Sequence, residues 1–129
     1  MAILNILFSL SFLVAHASPE DLNLKYFVNN AYTQVQTKKI DKFRVNDLCV
    51  KKQNCKAMLT AKGKPFKVQQ TKAPFTGNPG ANYCWDVGAK NRVLKDDKNN
   101  QYDFCVFDDG SMVDAWDLYQ AHYPAATVK

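Results

Sequence analysis

The side chains able to do chemistry form three small sets: four cysteines (Cys49, Cys55, Cys84, Cys105), two histidines (His16, His122) and three carboxylate pairs (Asp96-Asp97, Asp108-Asp109, and Asp114 with Asp117). A Ser–His or Cys–His nucleophile site needs the imidazole within hydrogen-bond reach of the hydroxyl or thiol. His122 stands near the C-terminal end, and only placement beside Ser111 or a free cysteine would make it such a base; it reads as an ordinary surface or rim residue. Paired carboxylates do acid–base work when their environments drive their pKa values apart. Adjacent acids in polar turns read more simply as solvated turn formers. A zinc site needs clustered Cys and His, and no CxxC or HxxxH spacing occurs. Asp97-x-Asn99-x-Gln101 echoes a calcium loop but lacks its glycine and distal glutamate. The expectation is no catalytic residue, no metal ligand and no cofactor.

The cysteines read as staples. Residues 1–17 hold no charged side chain, and 3–14 form an apolar run broken only by Asn5, Ser9 and Ser11. Ala15-His16-Ala17 is a small-x-small cleavage site followed by Ser18-Pro19, which is the layout of a secretory signal peptide. The alternative, an uncleaved anchor, is disfavoured because the run is short for a bilayer span. No cysteine lies near the cut, so a lipid anchor is not expected. Cleavage after Ala17 leaves 112 of the 129 residues, enough for one small domain or two very small ones sharing a core. A domain of that size buries only about two thirds of its unfolded surface, so covalent links help, and an oxidising destination, periplasmic or secreted, supplies them. Of the three possible pairings, Cys49–Cys55 with Cys84–Cys105 is expected, because each pair sits inside one local unit. Loop-closure entropy makes these contribute roughly 2 and 3 kcal/mol. Four buried free thiols are the competing reading.

Charge is unevenly placed. The whole chain carries a formal +5. Residues 18–76 hold 12 Lys and Arg against 4 Asp and Glu, giving +8, and residues 77–129 hold 5 against 8, giving −3. A basic half suits anionic polymers, lipid headgroups or an acidic protein; scattered lysines equally serve as a solvated surface. Nucleic-acid binding needs basic residues concentrated among stacking aromatics, and no such motif accompanies Phe43 and Phe66.

The elements that must position these residues follow from spacing and punctuation. Ser18-Pro19-Glu20-Asp21 resembles a helix start. Leu24, Phe27, Val28, Ala31, Tyr32 and Val35 then fall at intervals of three and four, which predicts a helix over about 19–37 ending at Lys38-Lys39. Phe43 and Val45 alternate with polar residues as in a strand, and Lys51-Lys52-Gln53-Asn54 is a turn that a Cys49–Cys55 bond could close. A short hairpin is expected over 56–70, with a linker over 71–77. Asn78 can cap a helix beginning at Pro79 and ending at Gly88. Val93-Leu94 and Tyr102 to Phe107 read as strands around an Asp96 to Asn100 turn. Asp108-Asp109-Gly110 turns the chain again. Ser111, with Asp114 three residues on, resembles a capping box for a last helix through Ala115, Trp116, Leu118, Tyr119 and His122.

Asn78, Pro79, Ala81, Cys84, Gly88, Tyr102, Cys105, Phe107, Asp109, Gly110, Ser111, Asp114 and Trp116 keep their order and spacing. Residues 78–123, 46 of the 129, thereby resemble a family of small exported bacterial proteins known as domain of unknown function 333, whose members are often labelled haemolysins. The likeness departs at Gly80, where the family tends to have alanine. It departs again at Val113 and Tyr123, about where the family carries a second cysteine pair. Loss of both together fits a lost disulfide and leaves the last helix to the packing of Trp116, Leu118 and Tyr119.

The fold expected is an α+β, small disulfide-stapled domain: a C-terminal helix–strand–strand–helix unit (77–129), preceded by a basic region (18–76) of one helix and a short hairpin. The function expected is that of an exported, non-enzymatic binding module, inhibitor- or adaptor-like. Its partner would be a protein or envelope polymer, met by Asp108, Asp109, Asp114 and Asp117 and by Trp85 and Trp116. The alternative is a membrane- or envelope-active, haemolysin-like factor using the basic half and the first helix.

Overall fold

The computed structural model describes residues 21–67 and 78–124. The segment expected to be a signal peptide (1–17), the start of the expected first helix and the expected linker (71–77) lie outside the described residues.

The chain opens with a hairpin of β1 (Asp21–Val28) and β2 (Ala31–Ile40), paired from Asp21 opposite Lys38 to Val28 opposite Ala31. Its turn is Asn29-Asn30, with φ of 52° and 62°. Two successive left-handed residues are what a two-residue hairpin needs, and asparagine tolerates that conformation better than most side chains. This corrects the helix expected over 19–37. The intervals of three and four were a coincidence of residues on both faces of a sheet: Leu24 is fully buried, whereas Phe27 is 55% and Tyr32 62% exposed. The alternation Leu22, Leu24, Tyr26, Val28 was the governing period.

Strand β3 (Phe43–Asn46) returns along β2, with Asp41 in the turn at φ 58°. Two short helices follow, α1 (Asp47–Lys51) and α2 (Lys56–Lys62). The second replaces the hairpin expected over 56–70. Cys55 caps it, its Sγ accepting from the Met58 amide at 3.3 Å, and Ala57, Met58 and Ala61 bury one helical face. A short apolar run such as Ala57-Met58-Leu59 does not distinguish strand from helix by itself. Residues 64–67 form no strand, and 68–70 lie outside the described residues.

Beyond the undescribed linker, α3 (Pro79–Asp86) starts as the sequence predicts. Asn78 Oδ1 accepts from the Ala81 amide at 3.0 Å, Pro79 opens the first turn, and Gly88 follows the helix at φ 83°. Strands β4 (Lys90–Lys95) and β5 (Gln101–Val106) form the expected hairpin. A third strand, β6 (Met112–Asp114), separates the acidic turn from α4 (Ala115–His122). The cap of α4 is therefore Asp114, not Ser111: Asp114 Oδ1 accepts from the Asp117 amide at 2.9 Å.

The six strands close into an antiparallel barrel in the order β1-β2-β3-β6-β5-β4, sealed by Lys25 opposite Lys95 and Tyr26 opposite Leu94 between β1 and β4. The α+β, disulfide-stapled character holds. The helix–strand–strand–helix arrangement does not, because β4, β5 and β6 complete a wall begun by β1, β2 and β3. Leu24, Val35, Leu94, Phe104 and Met112 fill the barrel. A second core, including Val45, Met58, Tyr83, Val113 and Leu118, lies between the helices and the outer faces of β3, β5 and β6. Cys49–Cys55 joins α1 to the cap of α2, and Cys84–Cys105 joins α3 to β5, with Cα separations of 5.4 and 4.9 Å. Two disulfides indicate a protein that lives outside the cytoplasm. No helix among the described residues is long and apolar enough to cross a membrane.

Candidate functional site

The carboxylates expected to form one acidic edge occupy two separate places. Asp108 and Asp109 sit in the β5–β6 turn, where Gly110 takes φ 84°. Asp109 accepts from the Ser111 hydroxyl, from the Ser111 amide at 2.9 Å and from the Lys56 amide at 2.9 Å. Ser111 Oγ in turn accepts from the Ala57 amide at 3.0 Å. The turn thus satisfies two amides that the start of α2 would otherwise leave unpaired. Burial works against the Asp109 anion, but the Ser111 and Lys56 hydrogen bonds outweigh it and hold the carboxyl below its ordinary range. Asp108 stays at the surface, bonded to the Lys56 ammonium, which it raises above the usual lysine value through that hydrogen bond and its charge.

Asp114 and Asp117 lie at the start of α4, against β2 and β3. Asp117 Oδ2 accepts from the Arg44 amide at 2.9 Å, and Lys39 Nζ stands 3.9 Å from Oδ1. Burial first, and the Asp117 charge second, push the Asp114 carboxyl up to about 6. A raised acid beside a second carboxylate is the electrostatic setting acid–base chemistry uses. Here both carboxylates also anchor backbone amides, so the pair serves to set α4 on the barrel.

His122 is not a rim residue. It is 9% exposed, its Nδ1 lies 2.6 Å from Tyr83 Oη and its Nε2 3.0 Å from the Ala61 carbonyl. A carbonyl only accepts, so the proton sits on Nε2 and Nδ1 accepts from the tyrosine. Tyr83 Oη also accepts from the Phe66 amide at 2.8 Å, and Tyr123 Oη donates to the Phe66 carbonyl. Burial pushes the Tyr83 phenol up to about 12. The chain ties α2, α3, α4 and the segment around Phe66 together and leaves the imidazole no free nitrogen. Sequence reasoning missed it; the signal was His122 falling four residues after Leu118 and seven after Ala115, on the buried face of α4.

Trp85 and Trp116, 44% and 38% exposed, lie on different sides of α3. The Trp116 ring covers Gly80, where an added Cβ would stand 3.1 Å from Cδ2. Trp85 follows Gly80 by five residues, about 140° around the helix. The positions expected to hold cysteines in relatives are filled by packing. Val113 is fully buried between Val45 and Cys105, and Tyr123 rests on the rings of Tyr83 and Tyr119 at centroid distances of 5.6 and 5.5 Å.

Among the described residues the most exposed aromatic pair falls on what the helical spacing predicts as a buried face. Phe27 and Tyr32 face each other across the β1–β2 hairpin, ring centroids 5.1 Å apart, on the outer side of the sheet. Lys25, Gln34 and Lys95 stand beside them. The overlooked signal was Asn29-Asn30 between two alternating runs. No group of three or more His, Cys, Asp or Glu able to hold a metal ion occurs among the described residues.

Residues 76–122, from the approach to α3 through α4, match the model of a family described as a domain of unknown function (DUF333). No curated protein and no solved structure matches the chain.

Proposed function

We propose that this chain is an exported, non-enzymatic binding module whose partner is another macromolecule, a protein or an envelope polymer. The observation that carries the reading is the Phe27–Tyr32 pair: two large rings, 55% and 62% exposed, fixed side by side on a stapled scaffold. Exposed aromatic anchors on a rigid frame are what interfaces use most. Support comes from the chemistry-bearing groups. Asp109, Ser111, Asp114, Asp117 and His122 are all engaged in bonds that hold the fold. Trp85, Trp116 and Asp108 extend the contact surface beyond the hairpin.

The test is capture from envelope extract at low salt with the oxidised full chain as bait, beside Phe27→Ser/Tyr32→Ser. A discrete partner recovered by the native chain and lost from the variant is expected. No partner, or equal recovery by both, would overturn the reading.

The hairpin also favours a second reading, a membrane-active factor. Val28 and Ala31 flank the Asn29-Asn30 turn beside Phe27 and Tyr32, with Lys25 and Lys95 behind them. An apolar tip backed by lysines suits an anionic bilayer surface. This replaces the first helix, which is a hairpin, as the contacting element. Vesicle flotation lost on charge reversal of Lys25 and Lys95, with folding checked because Lys25 stands 3.9 Å from Asp97, would favour it over the first.

A further inference from the structure

The inner side of β4 breaks the apolar pattern of the barrel. Lys90, Arg92 and Leu94 share that side, and Leu94 is fully buried in the barrel core. Arg92 pairs with Phe104 on β5, and Lys90 pairs with Val106. Two cations therefore stand at the end of the barrel beside its apolar interior, Lys90 exposed and Arg92 half-buried. Among the described residues neither makes an ion pair. The Arg92 guanidinium donates from Nη1 to the carbonyl of its neighbour Asn91 at 3.0 Å, which leaves most of its donors unused. Among the described residues lining the rim the one acid, Asp108, is bonded to Lys56.

These side chains line a hollow of about 300 Å³, whose other walls include Tyr26 of β1 and Val106 and Phe107 at the end of β5. Barrel mouths with apolar walls and a few convergent polar groups are common ligand sites. We infer that this mouth binds a carboxylate carried on a small apolar body, the anion held by Arg92 and Lys90 and the body lying against Tyr26, Val106 and Phe107. The guanidinium fork matches a carboxylate with two parallel hydrogen bonds, and the lysine adds a second positive charge. A singly charged head fits better than a phosphate dianion, because Asp108 at the rim repels each added negative charge. The volume corresponds to about ten waters and so admits one ring or a short branched chain. A free small carboxylic acid and the C-terminal residue of a protein share this chemistry. The inference stands apart from the hairpin reading, since it uses neither Phe27 nor Tyr32.

The probe is phenylacetate, titrated into the oxidised full chain at low ionic strength while amide NMR shifts are followed. Phenylacetamide, peptides ending in phenylalanine with a free carboxyl, and the same peptides amidated are run beside it. Saturable shifts centred on Lys90, Arg92 and Val106 are expected. Phenylacetamide should bind about tenfold more weakly or worse, and Lys90→Gln/Arg92→Gln should lose binding about as much with an unchanged unfolding transition. Binding of the free-carboxyl peptide but not its amide assigns the site to a protein terminus; binding of phenylacetate and neither peptide assigns it to a free acid. If the double variant does not fold, Arg92→Lys decides. It keeps the charge and removes the fork, and a several-fold loss is expected. No saturable shift, equal affinity for the amide, or undiminished binding by the variant that folds overturns the inference.

Discussion

The two sides of the barrel wall are built on different plans. The outer faces of β3, β5 and β6 are clad by helices, and both disulfides and the larger buried cluster lie there. Among the described residues no helix covers the outer face of the β1–β2 hairpin around Phe27 and Tyr32; at the far end of β2 Ile40 packs against the larger cluster, and the inner side reaches the barrel core through Leu24 and Val35. On the clad side nearly every polar group that could have done chemistry is consumed: Asp109 and Ser111 hold α2, Asp114 and Asp117 hold α4, and His122 is locked between Tyr83 and Ala61. Among the described residues, the Phe27 and Tyr32 rings on the bare side touch each other and stay largely exposed. A covalent frame on one wall lets the opposite wall keep apolar surface in water without losing the fold, and such surface marks interaction sites.

The sharpest way to break this comparison is to remove the frame. Cys84 and Cys105 are fully buried and join α3 to β5 across 21 residues, so Cys84→Ala/Cys105→Ala should cost about 3 kcal/mol, plus whatever the smaller side chains leave unpacked. Cys49→Ala/Cys55→Ala opens a loop of only 6 residues' separation and should cost about 2 kcal/mol. Urea unfolding followed by far-UV circular dichroism measures both. Costs below about 1 kcal/mol for either pair would mean that packing alone holds the clad wall.

What the sequence revealed follows the same division. Around α3, β4 and β5 the markers are local and stereochemically strict. Asn78-Pro79 can begin a helix, Gly88 can leave one with positive φ, and Cys84 reaches Cys105 inside one unit, so helix, hairpin and disulfide were all legible. The β1–β2 hairpin carries two conflicting periods, a helical spacing of apolar residues and a strand alternation broken by Asn29-Asn30, and only the turn distinguishes them. Barrel closure was invisible. Pairing of β1 with β4 joins residues about 70 positions apart, and no local pattern encodes such a contact. The network around His122 was hidden for the same reason, since its partners Tyr83 and Ala61 come from other helices.

A second prediction falls at the seam between the walls, where α4 meets β2 and β3. A carboxyl raised to about 6 when folded takes up a proton more readily than the same group unfolded. The folded state therefore binds more protons between roughly pH 4 and 6, and this group's contribution to stability falls as pH rises through that window. Asp114→Asn keeps an amide oxygen able to cap α4 and removes the charge that burial and Asp117 oppose. The variant should match the native protein near pH 3.5 and exceed it by about 1–3 kcal/mol at pH 7. Asp96 and Asp109, held low by their hydrogen bonds, slope the opposite way in both proteins and cancel in the difference. Parallel pH profiles for the two proteins would show that the seam carries no electrostatic strain.

The smallest effect on stability belongs to the bare wall. Phe27 and Tyr32 touch across the hairpin, and a cross-strand aromatic pair contributes roughly 0.5–1 kcal/mol beyond alanine. Their exposure leaves little burial to lose, so Phe27→Ser/Tyr32→Ser should lower stability by about 1 kcal/mol or less. The same variant should abolish capture of a partner, which makes it the inverse of the disulfide variants: nearly silent for folding and decisive for binding. A loss of 3 kcal/mol or more, approaching that of Cys84→Ala/Cys105→Ala, would require the rings to be buried in solution, for instance against a second copy of the chain. Sedimentation of the native protein at two concentrations distinguishes that outcome, because a copy seated on the hairpin would make both mass and unfolding midpoint depend on concentration. A small loss together with intact capture would overturn the hairpin as the contact surface and leave the bare wall without a binding role.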